Sequence, residues 1–361
     1  MRPMPLAANT PDTFYRGAGR IGRFRGRQDP GGDAYPEDWI ASTTARFGVP
    51  RPGAGVSRSG AGVPAGMSTL PDGRLLADAI AEAPEAWLGA AHIARYGADP
   101  AILVKLLDAG QRLPVHAHPD RRFARTHLAS PYGKTEAWVI LEAVPDAAVY
   151  LGFRRDVDAA ELAGWVVGRD TRAMLDAVNR VPVHAGDAVL VPAGLPHAIG
   201  EGVLLVEVQE ASDFSVLLEL DGFPVDPATA FLGLPRDRAL SCVDRTGWGA
   251  DRVAALHGGR SPAADGNPGR PGVERLFPAA ADEFFVAELL RPDPVSVLDP
   301  GFSVVVVGAG RGVLEPEAGP ALPVAAGDTL VIPYASGVLT LRGDVTAIRA
   351  RPAREPAGKP G

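Results

Sequence analysis

The apolar positions of this chain follow two rhythms. Between residues 71 and 96 (PDGRLLADAIAEAPEAWLGAAHIARY), Leu75, Leu76 and Ile80, then Trp87 and Leu88, recur at helical spacing, so the segment predicts a helix interrupted at Pro84. A second helical stretch is expected near 156–180 (DVDAAELAGWVVGRDTRAMLDAVNR). Elsewhere, short apolar runs between turn residues predict strands. GKTEAWVILEA, bounded by Tyr132 and Gly133, places Lys134, Glu136, Trp138 and Ile140 on one strand face. GDAVLVPAGLPH (186–197) supplies a Gly-Asp turn, a buried strand from Ala188 to Val191 and a sharp Pro-Ala-Gly turn. FSVVVVG (302–308) supplies another buried strand, and the 43 glycines and 35 prolines fit many turns between short strands.

This strand-and-turn pattern occurs twice. PVHAGDAVLVPAGLPHAI at Pro182 aligns with PVAAGDTLVIPYASGVLT at Pro323, an offset of 141 residues. Gly186-Asp187 matches Gly327-Asp328 and Pro192 matches Pro333, but His184 falls on Ala325 and His197 on Val338. The last third therefore repeats the β unit without its histidines.

Those histidines carry the chemistry. GQRLPVHAH (110–118) is a glycine, five residues, then His-x-His, and alternate strand side chains share a face, so His116 and His118 point together. The Gly186 stretch ends in a third imidazole, His197. Three in-phase imidazoles read as metal ligands rather than satisfied core histidines. Both spacings match the two motifs of the cupin superfamily, which implies a small β-barrel around the site. A cupin site usually adds a carboxylate. Here Glu136 is that candidate, 18 positions after His118 across DRRFARTHLASPYG, with an ion pair to a loop arginine as its alternative role.

The combination resembles the class I phosphomannose isomerases, also called mannose-6-phosphate isomerases. The resemblance rests on LVKLLDAGQRLPVHAHPD (103–120), GKTEAWVILEA (133–143), GDAVLVPAGLPHAIGEGVLLVEVQEASD (186–213) and, more weakly, PEDWIAS from Pro36. It implies a mainly β fold of two cupin-type jelly-roll barrels with helical insertions, the second barrel lacking a metal site. It also implies one zinc ion held by His116, His118, Glu136 and His197 in the first barrel, and interconversion of an aldose phosphate and a ketose phosphate. Three positions depart from the family pattern. His116 stands where the family has Gln, Pro114 where it has a Ser that helps hold the phosphate, and Leu217 where it has an Arg. The last two predict a weaker preference for a phosphorylated sugar, unless a group such as Arg16, Arg20, Arg23 or Arg25 compensates.

Moving a carbonyl between two sugar carbons requires an acid/base beside a polarising metal. Lys134, in phase with Glu136, is the first candidate shuttle; Glu207 and Asp213 are weaker ones, with ion pairing and turn capping as their alternative roles. Glu207 and Gln209 share a face; Trp39 and Trp138 are expected to pack the barrel, and His127 and His184 to lie in a loop and on the surface. Two other readings stand beside the isomerase: an iron or manganese cupin enzyme, and a non-catalytic metal-containing sugar-binding or regulatory cupin.

The remaining composition narrows partners and setting. A net charge of −7 argues against general affinity for nucleic acid or anionic membrane, and the family resemblance implies a small-molecule sugar or sugar phosphate as partner. The arginine-dense RGAGRIGRFRGR (16–27) reads as a solvated loop or a pocket wall facing an anionic substrate. A single cysteine, Cys242, excludes an internal disulfide and suits a cytoplasmic setting, and MRPMPLAANT has none of the regions of a signal peptide. The expected division is a turn-rich segment and helix over 1–99, the metal-binding barrel over 100–235 with its insertion at 156–180, the metal-free barrel over 236–350, and a disordered tail over 351–361. Within the third part, LHGGRSPAADGNPGRPG (256–272) reads as a linker.

Overall fold

The computed structural model describes residues 1–27, 35–47, 58–59, 63–258, 271–317 and 319–353. Most of the expected 256–272 linker and all but the first residues of the expected tail lie outside them. Among the described residues no helix is long and apolar enough to cross a membrane.

The fold is mainly β and layered. A six-stranded sheet runs, edge to edge, His257–Gly258, Ala188–Val191, Glu136–Ala143, Val203–Gln209, Leu103–Ala109 and Glu37–Ile40. A five-stranded sheet runs Val216–Leu217, His116–Ala117, His197–Ile199, Ala148–Phe153 and Val178–Pro182. The two sheets share an apolar interior that includes Leu107, Trp138, Ile140, Val149, Leu151, Ile199 and Leu205. Strand alternation explains the sequence of the six-stranded sheet. In Val203–Gln209, Leu204, Val206 and Val208 face one core while Val203 and Leu205 face the other. Both faces are buried, so the strand reads as a nearly continuous apolar run. Polar residues on the inner face, such as Glu207, therefore stand out as exceptions that need partners.

The outer face of the five-stranded sheet is covered by the helices Ala159–Gly168 and Thr171–Ala177, which supply Leu162, Val166 and Met174 to a second core. Asp158 and Asp170 cap them by accepting from the backbone N–H of Glu161 and Ala173. The outer face of the six-stranded sheet packs instead on an eight-stranded sheet through Phe285, Leu289, Phe302, Val304, Val331 and Ile348. The 71–96 segment forms three short helices, Leu76–Glu82, Pro84–Leu88 and Ala90–Tyr96, broken where Ala83 precedes proline and at Gly89. Leu76, Ile80 and Trp87 insert into the same inter-sheet core.

Strands near the ends of the chain cross between these layers. Glu37–Ile40 pairs with Leu103–Ala109 and is an edge strand of the six-stranded sheet. His257–Gly258 pairs with Ala188–Val191 at the other edge. Met4–Pro5 pairs with Thr329–Ile332 in the eight-stranded sheet. The sequence repeat is also visible: Gly186 and Gly327 open equivalent turns with φ of 93° and 90°, a conformation that favours glycine.

The arginine-dense segment is partly the solvated stretch expected, with Arg16 and Arg23 exposed, and it is not a wall of the pocket. Arg20–Phe24 is a short helix. Arg20 pairs with Asp108 at 2.9 Å, and Arg25 pairs with Asp38 at 3.1 Å and donates to Thr329 Oγ1 at 2.6 Å. Arg16 donates to Gln111 and Arg23 to the carbonyl of Ala18. Arg20 and Arg25 fasten the amino-terminal segment to the sheets, and none of the four lines the pocket at the histidines. The 119–132 stretch is likewise partly helical: Arg121–His127, capped by Asp120, carries His127.

Candidate metal centre

The space between the two inner sheet faces holds the histidines. His116 and His197 are directly opposite one another on neighbouring strands of the five-stranded sheet. His118 follows the Val115–Ala117 stretch, and its carbonyl accepts from Gly194 N–H at 2.7 Å, tying the Pro-Ala-Gly turn to the His-x-His strand. From the opposite sheet, Glu136 starts a strand in register with Val191. The three imidazoles are buried, and their donor atoms lie within 4.8 Å of one another. Glu136 reaches two of them, Oε2 at 2.9 Å from His118 Nε2 and Oε1 at 3.4 Å from His197 Nε2.

Each ring is oriented through its other nitrogen. His116 Nδ1 lies 2.9 Å from the Pro114 carbonyl, His197 Nδ1 2.8 Å from that of Leu195, and His118 Nδ1 2.8 Å from that of Phe214. A carbonyl only accepts, so each Nδ1 carries the hydrogen and each Nε2 is turned toward the centre. Burial, reinforced by neighbouring charges, holds His116 well below the ordinary histidine range and His118 at about 3, so both are neutral donors. Burial pushes the Glu136 carboxyl up, but Lys134 and His118 outweigh it and hold the group well below the usual range. A lone pair at 2.9 Å from a carboxylate oxygen is stable only with a cation between or beside them. Lys134 Nζ supplies one, 2.8 Å from Glu136 Oε2 and 3.1 Å from His118 Nε2. His197 Nε2 is buried and finds no hydrogen-bond partner. Neutral imidazoles, a carboxylate and an orphaned ring nitrogen aimed at one point fit a divalent ion.

A pocket opens from this cluster, and its wall is unusually charged. Lys105, from the inner face of Leu103–Ala109, lies 3.4 Å from Glu207, 3.6 Å from Asp213 and 3.8 Å from Glu37, with its Nζ 4.5 Å above the Trp39 ring. Burial pulls the Lys105 amine down, but these three carboxylates more than reverse it. Burial and Glu136 raise the Glu207 carboxyl. Glu37 accepts from Tyr15 Oη and from Trp39 Nε1; burial pushes its carboxyl up, yet Lys105 and Arg46 bring it to about 2. Of the sequence-derived residues, His116, His118, His197, Glu136 and Lys134 come together directly. Glu207 and Asp213 line the same pocket but contact Lys105. Gln209 donates to the Glu210 and Ser212 carbonyls and serves the turn. Trp138 is fully buried, donates to Glu136 Oε1 and meets His197 edge-on. Lys105, Glu37, Tyr15 and Arg46 were not anticipated. The lysine inside LVKLLDA had a readable signal, being a charge on the inward face of a buried strand.

No protein-family model matches the chain. Over 112 residues it is 37% identical to the mannose-6-phosphate isomerase of Streptococcus mutans and 38% identical to a mannose-6-phosphate isomerase of Bacillus subtilis. That match covers 31% of this chain and spans about a third (34%) of each relative. Among solved structures, the Bacillus subtilis mannose 6-phosphate isomerase superposes over 97% of this chain and 100% of that one, with a TM-score of 0.71 at 22% identity. A single-residue variant of the Salmonella typhimurium phosphomannose isomerase superposes over 98% of this chain and 100% of that one, with a TM-score of 0.71 at 16% identity. The resemblance read from the motifs thus extends to the architecture: this chain has the fold of the phosphomannose isomerases and is similar to them in sequence over a segment of 112 residues.

Proposed function

We propose that the protein is a zinc-dependent aldose–ketose isomerase of the mannose-6-phosphate isomerase kind, acting on mannose 6-phosphate or a closely related sugar. The observation that carries this reading is the convergence of His116, His118, His197 and Glu136 beside a pocket whose wall holds Lys134 and Glu207. Its likeness to mannose-6-phosphate isomerases in fold and over the matched segment supports the same choice.

His116, His118, Glu136 and His197 would hold the ion. Bound there, zinc supplies Lewis-acid stabilisation of negative charge developing on the sugar oxygens. The chain's own groups supply the rest. Lys134 Nζ, beside Glu136 and His118, is placed to hold or return a proton at the reacting carbons. Glu207, whose carboxyl is raised, keeps its proton to higher pH than an exposed glutamate and faces the same space. Lys105 fixes Glu207 and Asp213 and holds the wall rigid between them. The buried setting keeps bulk water from competing for these contacts.

Three imidazoles and a carboxylate also suit iron or manganese. A single experiment separates the readings: elemental analysis of purified protein, followed by turnover of phosphorylated and free hexoses and pentoses with the ion found. About one zinc per chain and isomerisation of a hexose phosphate are expected; a metal-free active protein, or no isomerisation of any sugar, overturns the proposal.

A further inference from the structure

We propose that Arg46 is the residue through which this protein reads an anionic group at the far end of its substrate. The inference rests on the isomerase reading above and names a specificity residue that the motifs do not contain. Its starting point is a deficit: Pro114 and Leu217 both line the pocket and neither can donate a hydrogen bond to an oxyanion from its side chain.

The cations near the pocket can be taken in turn. Lys134 is engaged with Glu136, and Lys105 with three carboxylates. Arg112 makes two bonds of 2.6 Å to Glu219. Arg16, Arg20, Arg23 and Arg25 are committed elsewhere. Arg46 lines the pocket and differs from all of them. Among the described residues its guanidinium makes no ion pair, and its Nε is buried without a hydrogen-bond partner. A buried guanidinium N–H without an acceptor is costly unless a ligand supplies one.

The backbone holds Arg46 in place from both sides. Its own N–H donates to the Ala65 carbonyl at 2.8 Å, and the N–H of Phe47 donates to Asp213 Oδ2 at 3.1 Å. The ring of Phe47 packs edge-on against Phe214 at 5.4 Å, and the carbonyl of Phe214 is the acceptor that orients His118. The Phe47–Phe214 contact therefore joins the segment that carries the arginine to the one that orients a candidate metal ligand. The charged groups also follow one another along the wall. Glu136 acts on Glu207, Glu207 meets Lys105, Lys105 meets Glu37, and Arg46 acts on Glu37 and Tyr15. A sugar with its carbonyl end at the histidines would extend along this wall, bringing a terminal phosphate toward Arg46, where a planar guanidinium can bind two of its oxygens.

The competing role is a distant counterion for Glu37, which would make Arg46 structural. Two measurements on zinc-loaded protein separate the roles: calorimetric titration with mannose 6-phosphate, mannose and inorganic phosphate, and kcat and KM on both sugars. Arg46→Met should weaken mannose 6-phosphate about 10- to 100-fold, mainly in KM, and shift mannose by less than about threefold. Arg46→Lys, which keeps the charge but not the fork, should fall between, and it carries the test if the Met variant does not fold. Equal losses on the two sugars, unchanged mannose 6-phosphate binding, or wild-type protein that binds neither mannose 6-phosphate nor phosphate would overturn the assignment. If wild type isomerises no sugar, the isomerase reading falls, and the titration still decides Arg46.

Discussion

In the first β unit the backbone N–H of His184 donates to Asp187 Oδ2 at 2.7 Å; in the second, the N–H of Ala325 donates to Asp328 Oδ2 at 2.8 Å. The strands that follow, Ala188–Val191 and Thr329–Ile332, are both fully buried and both run into proline. There the two units part. After Pro192 the chain turns over Gly194 and returns with His197 on an inward-facing strand. After Pro333 it makes the short turn Tyr334–Ser336 and returns with the apolar pair Leu339 and Leu341. The interior of the second sheet is lined by Leu298, Val305, Leu314, Val324 and Leu330 and holds a buried Arg349–Glu288 pair, whereas the first encloses four carboxylates and two lysines beside its histidines. The backbone frame does not depend on the chemistry. A unit that keeps its turns can exchange polar inward residues for leucine and valine and remain folded, because apolar side chains need no partners.

The comparison breaks most visibly at the ligands. His118→Ala or His197→Ala should each weaken zinc on the order of 100-fold or more and abolish most turnover, leaving the eight-stranded sheet folded. Elemental analysis with thermal melting checks this, and full zinc occupancy in both variants would remove the basis of the contrast. Lys134→Met should keep the metal and lose about 100- to 10,000-fold in kcat, since the side chain touches the ligands without being needed as one. Wild-type turnover would make Lys134 a bystander.

What could be read in advance tracks how local the cause is. The His-x-His pair, the Gly-Asp turn and the Pro-Ala-Gly-Leu-Pro-His run each depend on neighbouring residues, and the structure brings their side chains together. The offset of 141 residues likewise reappears as matching turns. Arg20 and Arg25 were misjudged because their partners, Asp108 and Asp38, come from distant or separately folded segments. Lys105 and Glu37 escaped notice for the same reason: each looks like an isolated charge until Leu103–Ala109 and Glu37–Ile40 are laid side by side.

That buried charge network sets a pH dependence through Glu37. The Glu37 carboxyl is held at about 2, below its unfolded value, so its contribution is present in full above about pH 4.5 and is lost as pH falls through about 2. Acid denaturation followed between pH 5 and pH 2 should show a loss of about 2–3 kcal/mol that Glu37→Gln largely lacks. Superimposable acid profiles for the two proteins would mean that the network is electrostatically neutral to folding. The smallest effect is expected from restoring a histidine where the repeat lost one. Val338→His should change stability by within about 0.5 kcal/mol and bind no zinc, since one imidazole is not a site. Metal uptake by that variant would show that the second interior is closer to a site than its leucines suggest.

The pairing of Met4 with Val331 and Pro5 with Leu330 has a consequence for how the protein is made. On a ribosome adding about 5–20 residues per second, the first strand emerges roughly 15 to 60 seconds before the strand it joins. The six-stranded sheet can form, with Glu37–Ile40 paired at its edge, during that interval, while the residues around Met4 stay unpaired and open to proteases. A fusion partner placed ahead of Met1 should therefore disturb the last sheet to assemble rather than the histidine-bearing one.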